Sequence, residues 1–147
     1  MNRLSVLPLL VLLLACAAPE QGPVPENGSE TEQKRMEITL HAGGKTFAAD
    51  LEDSETGRAF AALLPMTLEM SELNGNEKYR YLDAPLPTKA RHYDRIDAGD
   101  LMLYGNNCVV LFYGTAGGYS YTRIGRLRQT EGLADALGNG GVTVSFE

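Results

Sequence analysis

The sequence predicts a mainly β fold, a closed or nearly closed barrel with two short helices over its ends. Three observations predict it. Between residues 36 and 147, short apolar runs with period-two alternation are separated by glycine- and asparagine-rich turns. Only two stretches carry a helical period, and strands and helices do not alternate in the regular βαβ rhythm of a parallel sheet.

The elements follow in order. Glu37-Ile38-Thr39-Leu40-His41 alternates polar and apolar, Gly43-Gly44 supplies a turn, and Thr46-Phe47-Ala48-Ala49-Asp50-Leu51 returns, which makes a hairpin. Asp53 or Ser54 can cap a helix running through Leu64, because Ala59, Phe60, Leu63 and Leu64 recur at helical spacing and Pro65 ends the run. Met66, Leu68 and Met70 share one face of the next strand, which turns at Asn74-Gly75-Asn76 into Lys78 to Leu82. Ala84-Pro85-Leu86-Pro87 is extended and cannot be a central strand. Arg95 to Asp100 reads as a turn feeding Leu101 to Tyr104, which pairs across Gly105-Asn106-Asn107 with the apolar run Cys108 to Tyr113. Within that run Cys108 reads as a core residue, with no neighbouring His or Lys to lower its pKa. Gly114 to Gly118 joins two strands and opens no helix, so it reads as a flexible hairpin loop rather than a phosphate cradle. Tyr119 to Leu127 follows, then a helix from about Glu131 to Leu137 capped by Thr130, and a last strand from Val142 to Phe146.

With 147 residues, 44% of them hydrophobic, the chain has room for one domain and a terminal segment. Its net charge of -6 repels phosphate backbones, which excludes nucleic acid as the expected partner. Setting aside Arg3, Lys34, Arg35 and the four glutamates of residues 17–35 still leaves -5 on the domain. Two His, two Cys and no Trp leave little with which to build a metal centre or a nucleophile-base pair.

The amino terminus reads as a targeting segment. Arg3 beside the α-amino group precedes an apolar stretch over residues 4–14, too short for the roughly 20 residues that cross a bilayer. It ends in Leu13-Leu14-Ala15-Cys16, which resembles the bacterial lipobox. The resemblance implies removal of residues 1–15, lipidation of Cys16, and membrane attachment in the cell envelope through a diacylglyceryl group. An ordinary secretory signal cleaved between Ala15 and Ala18 is the alternative, and both place the mature protein outside the cytoplasm. Residues 16–35, rich in Pro, Glu, Gly and Ser, cannot bury enough apolar surface to offset their ordering entropy and read as a disordered tether. Such a tether reaches on the order of 25 Å. Cys108 is then left without an intrachain partner.

Gly99-Asp100-Leu101-Met102-Leu103-Tyr104, the strand from Val109 to Phe112, and Ile124-Gly125-Arg126-Leu127 followed by Gly132-Leu133 resemble the corresponding stretches of cyclophilins. Leu64-Pro65-Met66-Thr67-Leu68, Leu73-Asn74-Gly75-Asn76-Glu77 and Tyr119-Ser120-Tyr121-Thr122-Arg123-Ile124-Gly125 are similar to the small bacterial cyclophilin-like domains. The resemblance covers nearly all of residues 36–147 and implies a closed eight-stranded barrel. Cyclophilin isomerases hold an extended segment in an apolar groove and place an Arg guanidinium near the prolyl nitrogen, where it favours the twisted transition state. The nearest equivalent here is Arg80 in Tyr79-Arg80-Tyr81, offset by one position, and one residue on a strand turns a side chain to the other face. The pocket Trp is missing, and Tyr121 stands where cyclophilins carry a His.

These departures favour a non-catalytic module that binds a peptide or small molecule, with no cofactor. The alternatives are a divergent prolyl isomerase using Arg80 and a structural envelope protein. Tyr81, Tyr104, Phe112 and Tyr121 are the residues expected to line a groove, with Arg123 as its cationic end, although half-buried strand positions favour Tyr for packing alone. His92, Asp94, Asp97 and Asp100 cluster in sequence, and His92 and Asp94 would share a strand face. Asp97-Ala98-Gly99-Asp100 is also ordinary turn chemistry, so no metal site is expected.

Overall fold

The computed structural model describes residues 35–147. The expected signal segment, Cys16 and all but the last residue of the expected tether over residues 16–35 lie outside the described residues. Nine strands and two helices are formed among the described residues: β1 (Met36–Ala42), β2 (Lys45–Leu51), α1 (Glu55–Ala61), β3 (Met66–Leu73), β4 (Glu77–Tyr81), β5 (Arg91–Tyr93), β6 (Asp100–Tyr104), β7 (Cys108–Phe112), β8 (Tyr119–Leu127), α2 (Leu133–Leu137) and β9 (Val142–Phe146). No helix among them is long and apolar enough to cross a membrane.

Eight strands close an antiparallel barrel in the order β2-β1-β9-β3-β4-β7-β6-β8, with β8 returning to β2. β5 is an additional strand paired to the first part of β8. The hairpin turns follow from backbone chemistry. Gly43 and Gly44 both have positive φ between β1 and β2, as do Asn74 and Gly75 between β3 and β4, the conformation whose twist matches paired strands. Inside the ring, Leu40, Ala49, Leu101, Leu103, Val109, Leu111, Ile124, Val144 and Phe146 form the main core. α1 covers one end through Phe60, whose ring meets that of Phe146 edge-on at 5.4 Å.

Both helices are shorter than the sequence pattern suggests. The Ser54 side chain caps α1 by accepting from the Gly57 N–H, but the helix ends at Ala61, so Leu63 is left 42% exposed. α2 begins at Leu133, preceded by Gly132 in a left-handed conformation. Thr130 does not cap it with its side chain; only its carbonyl takes part, accepting from the Leu133 N–H. The loop over residues 114–118 is tied down rather than free. Ile96 and Ala116 exchange both backbone hydrogen bonds, and Asn76 holds the loop from the other side through the Thr115 carbonyl and the Gly114 N–H.

β8 closes the ring and carries a register shift while doing so. It pairs with β6 from Leu103↔Thr122 and Met102↔Arg123 to Leu101↔Gly125 and Asp100↔Arg126, so Ile124 is a bulge residue with no opposite number. Without the extra residue, Leu127 would lie on the same outward face as Tyr121 and Arg123; with it, Ile124 and Leu127 both enter the barrel core. Gly125 sits where β8 passes from β6 to β2. A Cβ there would lie 2.5 Å from the Asp50 carbonyl oxygen and 3.0 Å from the Leu51 Cα.

Those contacts are backbone and cannot rotate aside. Gly125→Ala is therefore expected to destabilise the domain by about 1–3 kcal/mol, measured by urea denaturation. An unchanged midpoint would mean that β2 and β8 can separate freely.

Candidate functional site

A second apolar cluster lies outside the barrel. Because strand residues alternate faces, the outward positions of β6, β7 and β8 bring together Met102, Cys108, Val110, Phe112 and Tyr121, and Tyr93, Ile96 and Ala116 pack over them. Where that covering stops, the outer face opens into a cleft of about 360 Å³. β4 supplies Glu77, Tyr79 and Tyr81, spaced two apart and so on one face. Cys108 and Val110 form part of the floor, and Tyr104, Tyr119 and Tyr121 come from β6 and β8. Leu73 and Asn74 complete the rim at the β3–β4 turn. Of the five exposed large hydrophobic residues among the described residues, four belong to this cleft: Leu73, Tyr81, Tyr104 and Tyr119. Such clustering is what separates a binding surface from scattered apolar residues.

The lining rings pack in two pairs. Tyr79 and Tyr81 stand almost perpendicular at 6.1 Å between centroids, and Tyr104 and Tyr121 are tilted against each other at 5.5 Å. Phe112 braces Tyr121 edge-on from below at 5.7 Å.

Glu77 is the one charged residue lining the cleft, and among the described residues no hydrogen bond or ion pair reaches its carboxylate. It is 7% exposed. Burial raises its pKa above the usual carboxylate value, and the negative charge of Glu72 raises it further. Tyr121 is pushed up to about 12, first by burial and then by Glu77. Burial likewise raises the Cys108 thiol, which keeps it protonated and unreactive at neutral pH.

The residues singled out from the sequence divide into two groups. Tyr81, Tyr104 and Tyr121 come together in the cleft. Phe112 is fully buried beneath them and reaches the cleft only through Tyr121. Arg123 lies away from it. Its Nη1 donates to Asp100 Oδ1 at 3.1 Å, its guanidinium covers the Tyr93 ring at 5.5 Å, and its Nε is 3.9 Å from Glu52. Arg80 shares the inward parity of Lys78 on β4, opposite to Glu77, Tyr79 and Tyr81, and is exposed at the strand's end. The cleft therefore has no cationic lining residue among the described ones.

Asp94 lies beyond the end of β5 and fully exposed, with His92 Nε2 3.4 Å from it. Asp100 faces away from both as the buried partner of Arg123 and Arg126, and its Oδ2 accepts from the Asp97 N–H. No three His, Cys, Asp or Glu side chains among the described residues converge as metal ligands. Glu77 and Cys108 are not expected at a site from the sequence, and Tyr79 and Tyr119, though among the strand tyrosines able to line a groove, are not among the five residues expected there. The alternation Glu77-x-Tyr79-x-Tyr81 is visible in the sequence, but which face of that strand lies outside the barrel is not.

The family model of the Cyclophilin-like family matches residues 40–147. The chain belongs to that family. A search of curated proteins finds no match. The cleft of this cyclophilin-like domain lies on the outer barrel wall, and its chemistry comes from tyrosines and one carboxylate.

The raised pKa of Glu77 has a stability consequence. Stability tied to its protonated form is fully present below the unfolded pKa, near 4.5, and is lost as pH rises through the folded pKa. Glu77→Gln should accordingly gain stability relative to the parent between acidic and neutral pH. Denaturation midpoints at pH 4 and pH 7 measure it, and a difference that does not change with pH would show that the carboxylate is not held against its desolvation.

Proposed function

We propose that this cyclophilin-like domain is a membrane-tethered, extracytoplasmic binding module that takes a peptide or small ligand in the tyrosine-lined cleft and does not catalyse prolyl isomerisation. The observation that carries the reading is that no guanidinium lines the cleft among the described residues. Isomerisation of an Xaa-Pro bond has a barrier of about 18–20 kcal/mol, and lowering it requires a donor placed where the amide loses conjugation. Arg80 cannot supply that donor from the opposite face of β4. What remains is a concave aromatic surface of ligand size on a rigid sheet, which binds without a chemical step.

Tethering rests on the lipobox-like Leu13-Leu14-Ala15-Cys16 and on the composition of residues 16–35. Cys16→Ser should move the protein from the membrane fraction to the soluble fraction. Persistence in the membrane would count against a lipid anchor at that cysteine.

Uncatalysed Xaa-Pro isomerisation takes tens to hundreds of seconds, so exchange NMR separates binding from turnover. Xaa-Pro peptides added to the full chain are expected to give no cis/trans exchange cross-peaks, whatever shifts they cause in the cleft tyrosines. Exchange peaks that vanish in Arg80→Ala would establish the divergent isomerase instead.

A further inference from the structure

Resting on the binding-module reading, we infer that the cleft is a receptor for a small organic cation whose charge sits on an alkylated nitrogen, held between the tyrosine faces and Glu77. Three observations on the same surface converge on this class.

The first is charge. Glu77 lines the cleft without a partner, and no Lys, Arg or His lines it among the described residues. The nearby cations do not reach it: Arg80 is on the opposite face of β4. Lys78 points into the barrel, where its Nζ pairs with Glu72 and donates to the Gly138 and Gly140 carbonyls, and Arg123 is bound to Asp100. The field inside the cleft is therefore negative, and an anionic ligand would be repelled from it.

The second is the lining. Aromatic faces carry the negative end of the ring quadrupole and attract a cation held within about 6 Å of a centroid. Tyr79, Tyr81, Tyr104, Tyr119 and Tyr121 all line the one cleft, and neither ring pair is stacked parallel, Tyr79 and Tyr81 lying at 83° and Tyr104 and Tyr121 at 55°. Rings that are not parallel favour a compact, rounded head over a flat one.

The third is polarity. The floor includes Val110 and the thiol of Cys108, which offer no strong acceptor, and Glu77 is the one charged acceptor in a lining whose other acceptors are the tyrosine hydroxyls and Asn74 at the rim. A primary ammonium brings three N–H donors and a guanidinium five, and each needs an acceptor once desolvated. A quaternary nitrogen brings none and presents methyl groups instead. At about 360 Å³ the cleft has the volume of a small-molecule site.

The test is a titration of the isotope-labelled full chain with choline and with neohexanol, its neutral carbon isostere, followed through the resonances of the cleft residues. Choline is expected to bind at least roughly tenfold more tightly than neohexanol. Glu77→Gln should remove most of that preference. Tyr119→Leu, at a side chain that is 61% exposed and outside the core, should weaken choline without unfolding the domain. Equal binding of the two compounds would overturn the inference, because the cleft would then be reading shape alone. Tighter binding of a lysine-containing peptide than of choline would overturn the alkylated nitrogen. No response to choline alongside shifts from Xaa-Pro peptides would leave a binding module and overturn the cation; no response to either would overturn both.

Discussion

The barrel depends on one strand having three partners. β8 pairs with β5 at its start, with β6 along its middle and with β2 at its end, and it is the only connection that closes the ring among the described residues. A strand with strict alternation could not serve all three, because Tyr121 must face outward for the cleft and Leu127 inward for the core. The bulge at Ile124 moves the parity by one residue, and the absent side chain of Gly125 lets β2 approach immediately afterwards. Closure and cleft thus depend on the same two positions. The ion pairs of Asp100 with Arg123 and Arg126 straddle the bulge, so Arg123 is occupied in holding the register that turns Tyr119 and Tyr121 to the outer wall.

The same alternation separates two charged systems that are adjacent in sequence. Lys78 and Glu77 follow one another on β4, yet Lys78 is inside the barrel and Glu77 outside. Burial alone would raise the Glu72 carboxyl, but hydrogen bonds from Lys78, Tyr113 and the Gly75 N–H outweigh it and hold its pKa below the usual value. The inner lysine is neutralised locally and contributes no relief to the outer glutamate. This is why burial raises the Glu77 pKa even beside a lysine, and why the one carboxylate of the cleft has no cationic partner among the described residues.

Most of the strand set is legible in the sequence, because glycine and asparagine turns with positive φ leave composition marks and period-two runs report themselves. The helix ends are less so. Pro65 marks the last place α1 can stop, whereas its stop at Ala61 is set by the packing of Phe60 on Phe146 and by the short path into β3. The candidate site is half legible for a similar reason. Tyrosines on strands can be counted, but whether each faces the core, the cleft or solvent depends on barrel closure and on a bulge whose only sequence mark, Gly125 after Ile124, does not say which residue is the extra one. Phe112 and Arg123 have the residue types of a binding site and are placed by β7 and β8 in supporting positions. Glu77 has the type of an ordinary turn-flanking residue and is placed in the cleft.

A buried carboxylate with no hydrogen bond to it lowers the stability of the free domain, because desolvation disfavours its charged form. The fold has the means to satisfy it. Lys78 is one position away, and the facing position on β7 is the apolar Phe112 rather than a donor. Elsewhere the same chain pairs its buried and half-buried carboxylates, Glu72 with Lys78, Asp100 with Arg123 and Asp50 with Arg128. Against that consistent pairing, an unpaired Glu77 among tyrosines on a rigid wall is a local departure from what stability alone would select. Departures of this kind concentrate where a protein meets a ligand. A cation entering the cleft would supply the partner that the barrel withholds, so part of the free-energy cost of keeping Glu77 ionised in the empty cleft becomes affinity when the cleft is filled.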